Sequence, residues 1–121
     1  MSIEAMSPFQ KKLKRKMDVY VHAVYRLTHS FPKQEMYGSS SQVRRAALSV
    51  VLNYIEGFAR KRKKVKKNHF EISYGSLNES QYILAFALEE KWIPSEQYDF
   101  IYKIGDEIGA MLWTEIEYLE T

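Results

Sequence analysis

The sequence predicts an all-α fold, an antiparallel up-down-up-down four-helix bundle, on three observations. Four segments carry apolar residues at three- and four-residue steps. Only five glycines and three prolines punctuate 121 residues, too few for many short strands. The breaks between segments span only a few residues, which makes consecutive helices antiparallel neighbours.

The first helix is expected over about residues 9–30, where Leu13, Met17, Tyr20, Val21, Val24 and Leu27 share one face. Phe31-Pro32 closes it, because the residue before a proline is pushed out of the α region. The second runs over about 40–60, with Val43, Ala47, Val50, Val51, Tyr54 and Phe58 as its stripe and Ser39-x-x-Gln42 as a capping box, Ser40 and Ser41 being alternative caps. Its β-branched valines lower helix propensity, so packing must compensate. The third is expected over about 69–92, started by Asn68 with Glu71 and striped by Phe70, Tyr74, Leu77, Gln81, Leu84 and Leu88. Pro94 breaks the chain. The fourth runs over about 95–119 on Tyr98, Ile101, Ile104, Ile108, Met111, Glu115 and Leu119. Gly105 and Gly109, one turn apart within it, point to close approach of a neighbouring helix.

Hydrophobic residues make up 45% and charged residues 27%, an ordinary globular balance, and residues 1–121 read as a single domain. The absence of cysteine excludes disulfides, thiolate nucleophiles and cysteine-bound metal. Met1–Met6 lacks the apolar run of a secretory signal, and no window approaches a membrane span. A cytoplasmic protein without membrane contact is the expectation.

The net charge of +3 conceals a strong asymmetry. Residues 1–67 hold sixteen of the eighteen Lys and Arg and only four acids, whereas residues 68–121 hold two bases and eleven acids. Two runs carry most of the positive charge: Lys11, Lys12, Lys14, Arg15 and Lys16, then Arg60, Lys61, Arg62, Lys63, Lys64, Lys66 and Lys67. In an up-down bundle the start of helix one and the turn between helices two and three lie at one end. The two runs should therefore converge on one basic pole, offset in part by Glu115, Glu117 and Glu120. Such a pole would repel itself, and a polyphosphate partner would relieve it with counterion release. A solvated loop with a frayed terminus is the plainer reading. No helix-turn-helix, zinc finger or ribonucleoprotein motif is present, so any readout would be of backbone and shape.

A polar stripe runs down helix two. Gln42, Arg45, Ser49, Asn53, Glu56 and Arg60 fall within an arc of about 80°. It is either an exposed face or a structural polar network, in which Gln42, Arg45, Asn53 and Glu56 satisfy one another and reach Glu79 on helix three. A network of that kind specifies register or assembly more than it stabilises.

The same residues carry a family likeness. Phe31-Pro32-x-x-Glu35-x-Tyr37-Gly38, Gln42-Val43-Arg44-Arg45-Ala46-Ala47-x-Ser49-Val50, Asn53-x-Ile55-Glu56-Gly57-Phe58-x-Arg60 and Gly75-Ser76-Leu77-x-Glu79 resemble the four-helix-bundle proteins encoded in 23S ribosomal RNA intervening sequences. The resemblance covers about residues 9–119 and implies a bacterial bundle assembling as a ring-like homopentamer. It also implies remote kinship with the accessory variability proteins of diversity-generating retroelements, which form basic pentamers and bind nucleic acid and a reverse transcriptase. Ser39 stands where the family usually has leucine, and Tyr54 where a small or aliphatic residue is common. The Lys61–Lys67 stretch is more basic than the family pattern.

Nothing in the residues points to an enzyme, a cofactor or a metal. His22 and His29 lie about 10 Å apart along a helix, too far for one ion without further ligands. Neither a Glu-x-x-His di-iron motif nor a G-x-S-x-G elbow occurs. Two functions remain. One is a non-enzymatic, oligomeric nucleic-acid-binding protein that grips RNA or DNA backbone through the two basic runs. The other is an assembly or adaptor protein whose charged halves mediate contacts between copies or with a partner protein. Trp92, Trp113 and the tyrosines could seal a subunit contact, although for Trp113 a place in the core is the favoured reading.

Overall fold

The first helix starts where two side chains close a capping box. Ser7 Oγ accepts from the Gln10 backbone N–H at 3.1 Å, and Gln10 Oε1 accepts from the Ser7 N–H at 3.0 Å. Pro8 follows at the first helical position, where its missing N–H costs nothing. In this computed structural model, which describes residues 3–120, the helices are α1 (Pro8–Leu27), α2 (Ser39–Phe58), α3 (Lys63–Glu89) and α4 (Ser95–Glu120). Short 3₁₀ turns at Thr28–Ser30 and Lys33–Glu35 fill the first connection. The described residues contain no strand.

Two helix starts differ from expectation. At α2 the Ser39–Gln42 capping box does not form. Gly38 occupies the N-cap, and the Ser39 hydroxyl instead donates to Glu35 Oε1 at 2.5 Å. The carboxylate therefore reaches forward from the preceding 3₁₀ turn to do the work expected of a serine. At α3 the helix begins six residues before the expected start, so Asn68 is interior and caps nothing. Lysine is a good helix former and no glycine or proline interrupts the run, so the helix extends back through it.

The end of α3 is equally specific. The Trp92 N–H returns to Ala87 O at 2.9 Å and the Lys91 N–H to Leu88 O at 3.0 Å, the bonding of a Schellman motif. Lys91 takes the left-handed position with φ 63°, where glycine is the usual occupant.

The four apolar stripes meet in one core. Leu13, Met17, Tyr20 and Val24 of α1 face Val43, Ala47, Val50 and Tyr54 of α2. Phe70, Leu77 and Leu84 of α3 and Ile101, Ile108, Leu112 and Ile116 of α4 complete it. Burying each large side chain contributes about 1.5–3 kcal/mol. Tyr20 crosses the interior to meet Ser80 Oγ at 2.6 Å, and burial pushes its phenol well above the ordinary tyrosine range. Gly105 makes room for this crossing: a Cβ there would stand 3.1 Å from the Tyr20 ring and 2.7 Å from Gln81 Nε2. The close approach expected at the paired glycines is thus concrete at Gly105.

Each helix packs on its neighbours in sequence, and α4 returns to α1, so α1 and α3 occupy opposite corners. The α2–α3 seam is the most intimate. Small residues make it so. Ser73 Oγ donates to Val50 O at 2.6 Å, and Ser49 meets Ser76 at 2.9 Å. At Gly57 a Cβ would lie 2.8 Å from the Phe70 ring.

Candidate nucleic-acid interface

The α2–α3 turn is built from positive charge. After Phe58, Ala59 and Arg60 return their N–H groups to the last carbonyls of α2, and Arg62 then takes an extended conformation as N-cap of α3. No side chain caps this helix, and its first turn holds no acid. Lys63, Lys64, Lys66 and Lys67 therefore sit at the positive end of the helix dipole, where cations are disfavoured. Some charge is answered locally. Arg60 pairs with Glu56 at 2.8 Å, and Lys67 lies 3.2 Å from Glu120 and 4.0 Å from Glu71. Lys66 rests 5.5 Å over the Phe58 ring. Lys61, Arg62, Lys63 and Lys64 are exposed, and none of the described carboxylates pairs with them.

The Lys11–Lys16 run has a different setting. It lies inside α1, with fully buried Leu13 at its centre. Lys14 pairs with Asp18 at 2.8 Å and Lys16 with Glu107 at 2.9 Å. The Lys16 hydrogen bond, reinforced by the charges of Lys16, Lys103 and Lys12, holds the Glu107 carboxyl below the usual glutamate range. Lys12 and Arg15 are exposed and Lys11 is half-buried, all without an acid partner among the described residues. The run stands level with the middle of α4, and Lys16 lies about 20 Å along the axis from the end that carries the turn. The expected single pole is thus a basic turn plus a separate basic flank in the same half of the bundle. The flank belongs to the α1 corner, diagonal to α3.

Other contacts anchor that half. The Lys67–Glu120 pair ties the start of α3 to the end of α4. The Tyr54 hydroxyl donates to Glu115 Oε1 at 2.6 Å, and its ring stacks on Phe70 with centroids 4.9 Å apart. Burial and then the Glu115 carboxylate push the Tyr54 phenol far above its ordinary range. A tyrosine at this position is therefore a buried cross-link between α2 and α4.

The polar stripe of α2 divides. Asn53 donates to Ser49 Oγ at 2.9 Å and faces His69 Nδ1 at 3.2 Å, and Ser49 continues to Ser76. Glu56 turns away to Arg60. Gln42, Arg45 and Glu79 are exposed and line an open groove of about 630 Å³ with Tyr37, Ser41 and Ser76, but no hydrogen bond or ion pair joins Arg45 to Glu79. The expected mutual network of Arg45, Asn53, Glu56 and Glu79 is replaced by an Asn53–Ser49–Ser76 chain with His69. The serines, which the sequence reading assigned no partner, carry it because the seam is narrow enough for short side chains to meet.

A second cleft was not foreseen. Between α3 and α4, Tyr74, Asn78 and Gln81 face Gly105, Asp106, Gly109 and Trp113 around about 400 Å³. Trp113 is not in the core: it remains 48% exposed and leans on Tyr74 at 5.4 Å with a 50° tilt. One residue beyond buried Leu112, it falls about 100° off the apolar stripe, and that offset is the signal the sequence offers. Trp92, by contrast, packs between Phe31 and Phe86.

Among the described residues no three His, Cys, Asp or Glu side chains converge to hold a metal ion. No helix among them is long and apolar enough to cross a membrane.

The sequence pattern of the 23S rRNA-intervening sequence proteins matches residues 10–114. The chain belongs to this family. Its bundle also resembles a solved structure from Bacteroides thetaiotaomicron VPI-5482, a protein of unknown function from the S23 ribosomal protein family. The TM-score is 0.77 at 23% identity, over 86% of this chain and 97% of that one. That likeness establishes a shared helical-bundle fold. No curated protein matches the chain significantly.

Proposed function

We propose that this intervening-sequence protein is a non-enzymatic nucleic-acid-binding protein that grips RNA or DNA phosphates with its α2–α3 turn. The observation that carries the reading is the start of α3: an uncapped helix N-terminus with no acid in its first turn, flanked by unpaired Lys61, Arg62, Lys63 and Lys64. Free backbone N–H groups, the helix dipole and the lysines all favour an anion there. This local arrangement costs the free protein stability, and phosphate neutralises it. Lys12 and Arg15, exposed on the separate α1 flank, form a second positive patch in the same half of the bundle. A ring-like homopentamer in the bacterial cytoplasm would multiply the contact and belongs to the same proposal.

The test is binding of a labelled RNA duplex and a DNA duplex, followed by anisotropy across a salt titration. The variant Lys61→Gln, Arg62→Gln, Lys63→Gln, Lys64→Gln should lower the slope of log affinity against log salt by about 3–4. Unchanged affinity and slope in that variant would sink the proposal.

A second reading, assembly through charged halves, draws on the exposed acids of α4. Glu96, Asp99, Asp106 and Glu117 have no basic partner among the described residues, and Glu120 already reaches Lys67 within one chain. Sedimentation across salt separates the two. A ring zipped by charge dissociates as salt rises, whereas a hydrophobically sealed ring persists.

A further inference from the structure

The α3–α4 cleft lies on the same face as the basic start of α3. At about 100° per residue, Lys63, Lys67, Tyr74 and Gln81 fall within an arc of about 40°, and Lys63 stands about 16 Å along the axis from Tyr74. A strand leaving the α2–α3 turn along this face reaches the cleft within a few nucleotides.

The cleft has the chemistry of a base site. Its wall is the Trp113 indole, about half exposed and tilted against the Tyr74 ring. Gly105 and Gly109 precede it by two turns and one on the same helix and let α3 come close: Gln81 Nε2 lies 2.7 Å from where a Gly105 Cβ would be, and Leu77 3.4 Å from where a Gly109 Cβ would be. The rim carries the amides of Asn78 and Gln81, which have no hydrogen-bond partner among the described residues, and the exposed Asp106 carboxylate. An exposed aromatic face beside unpaired donors and acceptors is what an unstacked base requires.

We propose that this cleft holds one unpaired nucleobase, stacked on Trp113, of a strand whose phosphates lie on the Arg60–Lys67 turn. The inference rests on the nucleic-acid reading above and adds a site and a preference for single strands to it. Asn78 and Gln81 bond the edge of the base, and Lys63 and Lys64 hold the adjoining phosphates.

The test uses the full chain and two probes: a fluorescein-labelled single-stranded RNA decamer of adenosine, and the same decamer with abasic sugars. In a Trp92→Phe background Trp113 is the one remaining indole. The adenosine decamer should quench its emission, and the abasic decamer should bind without quenching. Trp113→Ala should weaken the adenosine decamer about five- to hundredfold and leave the abasic decamer unchanged. Trp113→Phe should restore most of the loss. The anisotropy arm needs no Trp92 substitution, so it stands even if that variant folds poorly. Binding of both decamers with equal affinity and no quenching would overturn the base site while leaving the phosphate grip intact. Binding of neither would overturn both. A change in sedimenting mass on Trp113→Ala would assign the cleft to a contact between copies and overturn the base site.

Discussion

The two basic runs have nearly the same composition and different settings. Lys11–Lys16 lies within an amphipathic helix, where Leu13 enters the core and Lys14 and Lys16 reach Asp18 and Glu107. Arg60–Lys67 spans a turn and the start of a helix, and four of its consecutive cations have no carboxylate near them. Charge density alone does not make a binding surface. What matters is whether the fold spends the charge internally, and that depends on position relative to helix ends and to acids on neighbouring helices.

The largest effect should come from removing equal charge at the two places. Lys63→Gln with Lys64→Gln should reduce the salt slope for a duplex by about 1.8, near 0.9 per lost phosphate contact. Lys14→Gln with Lys16→Gln should leave that slope almost unchanged, since both amines are engaged by acids. Anisotropy under matched salt measures both. Equal slopes for the two double variants would erase the distinction between the runs.

A smaller effect sharpens the same contrast by trading function against stability. Arg62 holds the extended backbone of an N-cap, φ −77° and ψ 125°, with a side chain that cannot cap. Arg62→Asp should supply the missing acceptor and an anion at the positive end of the dipole. The expected gain is about 1 kcal/mol in urea unfolding, together with weaker RNA binding. No substitution in the α1 run should give this combination, because Ser7 already caps that helix. Stabilisation without loss of binding would mean that the uncapped start of α3 has no part in holding phosphate.

The fold was legible because apolar spacing is a direct record of burial. Leu13, Met17, Tyr20, Val21, Val24 and Leu27 were expected on one face, and all six are buried. The start of α3 was not legible. Asn68 with Glu71 looks like a cap, and a lysine run looks like a solvated loop, but nothing in Lys63–Lys67 forbids a helix. At the candidate site, the basic turn could be read from composition and topology. Its neutralisation pattern could not, because Lys16–Glu107 and Lys67–Glu120 join residues far apart in sequence whose meeting depends on helix rotation. Trp113 misled by residue type: indoles are usually well buried, and this one is displaced from the stripe by a single residue.

The smallest effect tests the internal side of the comparison. Glu107 titrates below the usual glutamate range because Lys16 donates to its carboxylate, with Lys103 and Lys12 adding favourable charge. A depressed folded-state value means the ionised form is favoured by folding. The contribution is present above the ordinary glutamate range and is lost as pH falls through the lower folded value. Carbon-detected NMR of the Glu107 carboxyl should therefore show a midpoint below the ordinary glutamate value. Lys16→Gln should move it back up, and Lys12→Gln should move it less, since Lys12 acts only through space. Substituting Lys61 or Lys64 should leave the midpoint in place, because the turn lies about 20 Å away along the bundle and salt screens over about 8–10 Å. If Glu107 responded to the turn lysines as strongly as to Lys16, the flank and the turn would be one continuous field, and the division between spent and available charge would fail.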